Sequence, residues 1–284
     1  MSIDKKQKIS TFNRFVFEML LPSIIMTIIL IFMIRGNKKT GKYAEVNGIK
    51  MYYEIYGSRK PLLFIHGNGG SIESGKDQIS FFSKNYKVIA ADSRGQGKTH
   101  DTGDSLTYDQ LAADINALLE KLKIDSAYVI GYSDGGIIGL ILAIKYPKKV
   151  KMLAAMAPNT RPDSGVLYPE PMTEMQQKMS KLYQQVKQGQ KDKIQKLKLT
   201  RLMVNHPHIS ATELSTIQAP VLIMSGDRDV VTLSHINEIF RAIPKSQLCV
   251  LPGSTHFAPM ENAKIFNETI ERFFTRPFEM PESF

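Results

Sequence analysis

Short apolar runs alternate with amphipathic stretches along most of this chain. Near the start, two strand-like runs flank Asn47-Gly48, a pair typical of a tight hairpin turn. Residues 61–67 and 87–97 are strand-like and end in polar loops. Residues 107–124 carry apolar side chains at helical spacing, with Thr107 as the candidate N-cap. An antiparallel start followed by alternating strands and helices predicts an α/β fold, with a mostly parallel central sheet and helices on both faces.

Residues 159–218 interrupt the alternation and are predicted to form a small helical cap. Met175 and Met179 fall on one helical stripe, which favours either packing onto the main domain or the ceiling of an apolar pocket. Both methionines are therefore candidates for a substrate pocket. Eight basic residues and one acid lie between Lys178 and Arg201, which is typical of a solvated helix face. The more specific alternative is that these residues contact anionic lipid.

Residues 15–34 form an apolar run with basic flanks. As a helix this run would span about 30 Å, the thickness of a bilayer's hydrocarbon core. No small-residue cleavage pattern follows it, so we expect an uncleaved single-pass anchor within an arm of residues 1–42, ahead of a main domain at 43–284. The basic tail favours a cytoplasmic N-terminus and an extracytoplasmic main domain. Secretion after signal cleavage is the alternative.

Charge and cysteine content narrow the function classes. The 284 residues carry a net charge of +10, of which +6 lies in residues 1–42. Because little of the excess is left for a folded face, a nucleic-acid surface is not expected. Cys249 is the one cysteine, so neither an intrachain disulfide nor a cysteine metal cluster can form. No metal-binding or phosphate-binding motif is present, and neither a metal nor a cofactor is expected.

The stretch Gly131-Tyr132-Ser133-Asp134-Gly135 follows a strand-like run and precedes a helical one. A G-x-S-x-G sequence in that context is typical of a sharp turn that lifts a serine hydroxyl clear of the backbone at a helix N-terminus. The two glycines leave the space that such a turn needs. Ser133 is therefore the candidate nucleophile.

A serine nucleophile needs a base and an acid that orients the base. His256 lies after the last strand-like run and is the candidate base. Asp227 and Asp229 both follow the preceding run; we choose Asp229 as the orienting acid and expect Asp227 to hold its own turn. The order Ser133, Asp229, His256 agrees with this arrangement.

Acyl transfer also needs hydrogen-bond donors for the developing oxyanion. The backbone N–H groups of Asp134 and Asn68 are the candidates, with His66 expected to be structural. Tyr132 and Asp134 are added to the two methionines as pocket candidates. The Asp134 carboxylate either favours the helix N-terminus or faces the pocket and attracts a cationic substrate group. His100 and His235 are expected at the surface, and His206 and His208 are not spaced to share a metal.

Five stretches, "LLFIHGNGG", "AADSRGQGKT", "VIGYSDGG", "VLIMSGDRDVV" and "LPGSTHFAPMEN", together resemble the α/β-hydrolase superfamily. The likeness covers residues 43–274, with 159–218 as the variable cap. "GYSDGG" is also similar to small carboxylester hydrolases of the biphenyl-hydrolase-like group. The chain departs from the superfamily's D-x-R-G-x-G-x-S at Thr99, and we interpret Asp92 and Arg94 as structural.

The resemblance and the candidate triad imply a serine hydrolase that cleaves carboxylic esters or related small acyl compounds through an acyl-enzyme. Alternatives within the fold are a thioesterase, a lactonase, a C–C bond hydrolase or an acyltransferase. An alternative of another class is a receptor or signalling protein that keeps the triad and binds a small ligand.

Overall fold

The computed structural model describes residues 41–276, and the predicted anchor at 15–34 lies outside them. The described part contains eight strands: β1 Lys42–Val46, β2 Ile49–Tyr56, β3 Lys60–Ile65, β4 Tyr86–Ala91, β5 Ala127–Tyr132, β6 Val150–Met156, β7 Val221–Arg228 and β8 Ser246–Thr255. Its α-helices are α1 Lys76–Phe82, α2 Tyr108–Lys121, α3 Asp134–Lys145, α4 Pro169–Lys187, α5 Ile194–Asn205, α6 Ala211–Ser215, α7 Leu233–Ala242, α8 Ala258–Glu261 and α9 Ala263–Thr275. Within residues 41–276, none of these helices has both the length and the apolarity needed to cross a membrane.

The strands form one sheet in the order β1-β2-β4-β3-β5-β6-β7-β8. β2 pairs antiparallel with β1 and β4, and the remaining neighbours are parallel, which confirms the predicted α/β fold with a mostly parallel sheet. The hairpin at Asn47-Gly48 is also confirmed, with φ of 43° and 79° at the two turn residues, as a type I′ turn requires.

Burial explains why the central strands read as unbroken apolar runs. All six residues of β5 are buried. A strand buried on both sides needs cover on both faces of the sheet, which the helices between the strands provide. Helix α2 begins where the sequence predicts, because the Thr107 side chain accepts a hydrogen bond from the Gln110 N–H as an N-cap.

The interruption predicted at residues 159–218 falls in the connection between β6 and β7, which carries α4, α5 and α6. On α4, Leu182 is buried and Met175 and Met179 are half-buried, so the stripe faces other protein atoms. Lys198 on α5 is buried as well. Its ammonium contacts the Asp101 carboxylate at 2.5 Å, which ties α5 to the loop after β4.

Candidate active site

The turn after β5 holds Ser133 in a backbone conformation that side chains rarely adopt, with φ of 54°. A Cβ atom on Gly131 would lie 2.1 Å from the Gly135 carbonyl oxygen, and one on Gly135 would lie 2.1 Å from the Ile65 carbonyl oxygen. Both glycines are therefore required by close backbone contacts. The Ser133 N–H donates to the Met156 carbonyl at 2.8 Å, which anchors the turn to β6.

The structure brings Ser133, His256 and Asp229 together from three separate loops. His256 Nε2 lies 2.9 Å from Ser133 Oγ, and His256 Nδ1 lies 2.7 Å from Asp229 Oδ1. Because a carboxylate accepts, Nδ1 carries the ring hydrogen and Nε2 is left to accept from the serine hydroxyl. The Asp229 carboxylate is buried and also accepts the Val231 N–H at 3.1 Å.

Asp227 has a different partner. Its Oδ1 accepts the Ser254 N–H at 3.2 Å and so links the loop after β7 to β8. The contact joins two segments 27 residues apart and does not lie within the turn of Asp227, where it was expected from sequence. It leaves Asp229 as the carboxylate that contacts the histidine.

The loop after β3 passes directly beside the nucleophile. A Cβ atom on Gly67 would lie 3.1 Å from the Ser133 Cβ. The Asn68 side-chain amide donates to Asp134 Oδ2 at 2.8 Å and to the Leu199 carbonyl at 3.3 Å. Asp134 is the first residue of α3, where backbone N–H groups have no partner within the helix.

Two buried side chains behind this loop hold it in place. The Gly69 N–H donates to Gln96 Oε1 at 2.6 Å. His66 Nδ1 lies 2.7 Å from the Gly67 carbonyl, and its Nε2 accepts the Ser93 N–H at 3.0 Å. Burial lowers the pKa of His66, which agrees with a neutral, structural histidine.

The loop after β4 also has the structural role expected of it. The Asp92 carboxylate accepts the backbone N–H groups of Ile72 and Lys98, at 2.8 and 2.7 Å. The Arg94 guanidinium is buried and pairs with Asp114 at 2.7 Å.

Asp134 is 4% exposed, and burial raises the pKa of its carboxyl to about 6. Hydrogen bonds from Asn68 and Tyr108 act in the opposite direction and favour the ionised form. The pKa of the Tyr108 phenol is held well above its usual value by burial and by the neighbouring carboxylate. The negative charge at this point of the site therefore depends on pH near neutrality.

A pocket of about 310 Å³ opens over Ser133, Asp134 and His256. Its other walls include Tyr108, Leu167, Glu174, Met175, Lys178, Met203, Val230 and Val231. Tyr108 and Met203 could not be assigned to the pocket from sequence, because no local pattern marks them as neighbours of Ser133.

Two of the four predicted pocket residues, Tyr132 and Met179, are not among the residues that line this pocket. The sharp turn directs the Ser133 hydroxyl to the pocket and leaves the Tyr132 ring buried, 5.4 Å from the His256 ring. Met179 lies one helical turn beyond Met175 and lines a separate surface groove with Tyr183. The pocket assignment is therefore wrong for Tyr132 and Met179.

His235 also differs from its predicted place at the surface. It is fully buried, where its Nε2 accepts the Thr160 N–H at 3.1 Å and its Nδ1 lies 3.1 Å from Glu238 Oε2. Burial lowers the pKa of this histidine. His100 is exposed, as expected. Among residues 41–276, no cluster of three or more His, Cys, Asp or Glu side chains could hold a metal ion.

Comparisons with known proteins show which family and which relatives the chain resembles. A family model described as alpha/beta hydrolase fold matches residues 60–208. A 2-hydroxy-6-oxononadienedioate/2-hydroxy-6-oxononatrienedioate hydrolase of Paraburkholderia phymatum is 24% identical over 278 residues, covering 82% of this chain and 95% of its own. The serine hydrolase BPHL of Mus musculus is 24% identical over 269 residues, covering 84% and 87%.

Among solved structures, a bacterial membrane phospholipase A superposes with a TM-score of 0.67 at 19% sequence identity. The superposition covers 92% of this chain and 98% of that protein. At this identity the likeness is one of fold alone.

Proposed function

Since the chain belongs to the α/β-hydrolase fold family and is a hydrolase of that fold, we propose that it cleaves carboxylic esters through a Ser133-His256-Asp229 triad. The observation that carries the proposal is the continuous hydrogen-bonded line from Asp229 through His256 to Ser133, with contacts of 2.7 and 2.9 Å. This is the arrangement that converts an ordinary hydroxyl into a nucleophile.

The reaction follows from these contacts. Ser133 Oγ attacks the ester carbonyl carbon while His256 Nε2 takes the hydroxyl proton, and Asp229 stabilises the resulting imidazolium. The tetrahedral intermediate collapses when His256 returns that proton to the leaving alcohol, which leaves an acyl group on Ser133. A water molecule, deprotonated by His256, then releases the acid and restores the serine.

The developing oxyanion is assigned to the backbone N–H groups of Asn68 and Asp134. Support comes from three observations: Asp134 directly follows Ser133, Gly67 next to Asn68 approaches Ser133 closely, and the loop is held at the Gly69 N–H. Donors fixed before the reaction are worth several kcal/mol in the transition state, about 3 kcal/mol for one donor.

The charge of the pocket favours a neutral substrate. Asp134 lies beside the nucleophile, and Glu174 and Lys178 are the other charged side chains that line the pocket. A substrate carboxylate near Asp134 would meet a like charge with little water to screen it. Esters with uncharged acyl groups are therefore proposed over dioate substrates.

A second candidate is hydrolysis of a C–C bond or a lactone by the same triad. It is favoured by the match to the P. phymatum hydrolase, which extends over 95% of that protein. The two candidates differ in the bond broken, so a substrate panel separates them.

An activity-based probe tests the proposal. A fluorophosphonate should label the wild-type protein, should fail to label Ser133→Ala, and should label the matched variant Ser215→Ala, since Ser215 is exposed on α6. Turnover of p-nitrophenyl butyrate should follow the same pattern. Equal labelling of Ser133→Ala, or turnover confined to dienoate substrates with no ester hydrolysis, would overturn ester cleavage as the function.

Membrane attachment through residues 15–34, with the main domain on the extracytoplasmic side, remains a proposal from sequence. Alkaline carbonate extraction of membranes should leave the full chain in the pellet. Protease added to intact cells should then cut the main domain if it faces outward.

A further inference from the structure

Four large apolar side chains that face solvent lie close along the chain to residues that line the pocket or form the triad. These residues, called here the apolar rim, are Tyr168, Leu233, Phe257 and Met260, and they are between 41 and 56% exposed. Apolar side chains gathered at one place on a surface mark an interaction site more often than single exposed ones do.

Three rim residues lie within two positions of a pocket residue along the chain, which places the rim near the pocket. Tyr168 follows Leu167, which lines the pocket, and its N–H donates to the Val230 carbonyl at 3.1 Å. Leu233 begins α7 just after the lining residue Val231. Phe257 follows His256, with the two rings 6.0 Å apart.

The rim lies at the end of the sheet where the parallel strands have their carboxyl termini. Leu233 follows β7, and Phe257 and Met260 follow β8, and both strands run parallel to the central strands. Since the carboxyl ends of parallel strands share an edge, these residues lie on the side of the domain where Ser133 is presented.

Basic side chains lie on the cap helices, the first of which begins directly after the rim residue Tyr168. Lys178 on that helix lines the pocket. Further exposed cations of α4, α5 and the turn between them are Lys181, Lys187, Lys191, Lys196 and Arg201. Lys198 does not add to this basic cluster, because it is buried against Asp101. Apolar side chains beside lysine and arginine form the pattern of surfaces that lie on anionic lipid.

The strand register shows where the chain enters the domain. Lys42 pairs with Tyr53, Tyr53 with Ala91, Ala91 with Ile65, and Ile65 with Gly131. The first strand thus begins level with the nucleophile turn, four strand spacings away, or about 19 Å. The chain therefore enters at the height of the edge that carries the pocket.

Chain length limits the distance from the predicted anchor. Six residues, 35–40, separate the run at 15–34 from Gly41. Fully extended, they reach about 20 Å. A bilayer that holds the anchor is therefore within reach of the level at which Ser133 is presented.

We propose that the edge formed by the apolar rim and the basic cluster docks on an anionic bilayer, and that the ester cleaved at Ser133 is an acyl ester of a membrane lipid. The rim enters the interface, the lysines meet lipid phosphates, and an acyl chain passes directly into the pocket. This inference rests on the proposed ester hydrolysis and names its substrate class.

Site-specific fluorescence tests the docking. The full chain, with Cys249→Ser, is reconstituted in phosphatidylcholine vesicles with or without phosphatidylglycerol, and an environment-sensitive dye is attached at Met260→Cys. The matched control is Lys148→Cys, an exposed position just before β6 at the opposite edge of the sheet. We expect a blue shift and protection from iodide for the dye at position 260, stronger with phosphatidylglycerol, and neither change at position 148.

Kinetics test the substrate class. Leu233→Ser with Met260→Ser should lower hydrolysis of a fluorogenic phospholipid in vesicles by about tenfold, since the rim loses its apolar contact with the interface. Turnover of soluble p-nitrophenyl butyrate should stay at the wild-type rate. The matched control, Leu248→Thr with Val250→Thr, removes equally exposed apolar side chains from the edge strand β8 and should leave both rates unchanged.

The outcomes separate the two proposals. If the wild type hydrolyses neither substrate, ester cleavage itself is wrong. If it hydrolyses the soluble ester but the dyes at positions 260 and 148 behave alike, the docking proposal is overturned and ester cleavage stands. Docking without phospholipid hydrolysis would overturn the lipid ester as substrate. Docking that is indifferent to phosphatidylglycerol would overturn the role of the lysines.

Discussion

The Asn68 side chain donates a hydrogen bond to the Asp134 carboxylate at 2.8 Å, so the two residues proposed to supply the oxyanion donors are also joined through their side chains. One belongs to the loop after β3 and the other to the first turn of α3. The contact fixes the distance between the two backbone N–H groups before any substrate arrives. Such preorganisation is what makes oxyanion donors effective.

Replacing Asn68 by alanine removes the side-chain hydrogen bond to Asp134 and keeps the backbone N–H that is proposed to bind the oxyanion. We expect kcat for p-nitrophenyl butyrate to fall by about tenfold with little change in KM, as for an interaction made in the transition state. Steady-state kinetics check this, with Asn116→Ala on α2 as the remote control. A rise in KM at constant kcat would instead assign Asn68 to substrate binding.

Gln96 is predicted to act as a positioning residue through its bond to the Gly69 N–H at 2.6 Å. Gln96→Leu keeps the size of the side chain and removes the acceptor, so the loop after β3 should loosen. The expected result is a kcat lowered by about tenfold at nearly constant KM. Gln96→Glu restores an acceptor oxygen and should recover much of that loss. Failure of Gln96→Glu to exceed Gln96→Leu would contradict the positioning role.

Asp229→Asn should abolish most activity while the fold is kept. An asparagine amide can donate to Nδ1 and so hold His256 in the wrong tautomer, which costs about 10⁴-fold in kcat in triad enzymes. Asp227→Asn is the matched control, since Asp227 contacts the Ser254 N–H and not the histidine. Comparable losses in the two variants would refute the assignment of Asp229. Circular dichroism and unfolding midpoints check that both variants are folded.

Asp134 should make substrate choice depend on pH, because its pKa is raised to about 6. Above that pH the carboxylate is charged and repels an anionic substrate; below it the repulsion fades. The ratio of kcat/KM for a neutral ester over one bearing a sulfonate should therefore rise by about tenfold as pH increases through 6. The ratio cancels every pH effect that the two substrates share.

Asp134→Asn is the control for this pH effect. It keeps the side-chain size and removes the titrating charge, so the ratio should be nearly independent of pH. Glu174 and Lys178 also face the pocket and remain in the variant. A ratio that rises equally in Asp134→Asn would assign the discrimination to one of those groups.

Local sequence was enough to predict those parts of the fold and site that local geometry decides. The hairpin at Asn47-Gly48 and the N-cap at Thr107 depend on residues within a few positions of one another. Gly131 has the same local basis, because its Cβ would meet the Gly135 carbonyl of the same turn, whereas Gly135 is limited by the distant Ile65 carbonyl.

Contacts between distant segments could not be predicted in this way. Gln96 meets Gly69 across 27 residues, and Lys198 meets Asp101 across 97. The burial of His235 likewise depends on the Thr160 backbone, 75 residues away. Met179 has the same helical spacing as Met175, but only the packing of α4 decides which of them reaches the pocket.

Two adjacent glycines of α3 should differ sharply in their tolerance of alanine. On Gly135 a Cβ would lie 2.1 Å from the Ile65 carbonyl oxygen, so the backbones of β3 and α3 would have to separate. We expect Gly135→Ala to lose at least about 3 kcal/mol of unfolding free energy, or to fail to fold. On Gly136 the nearest atom is the Met156 carbonyl oxygen at 3.3 Å, which needs only a small adjustment. Since alanine gains about 1 kcal/mol over glycine within a helix, Gly136→Ala should be close to neutral. Urea unfolding of both variants measures the difference, and equal stability of the two would show that the close approach at Gly135 does not constrain the turn.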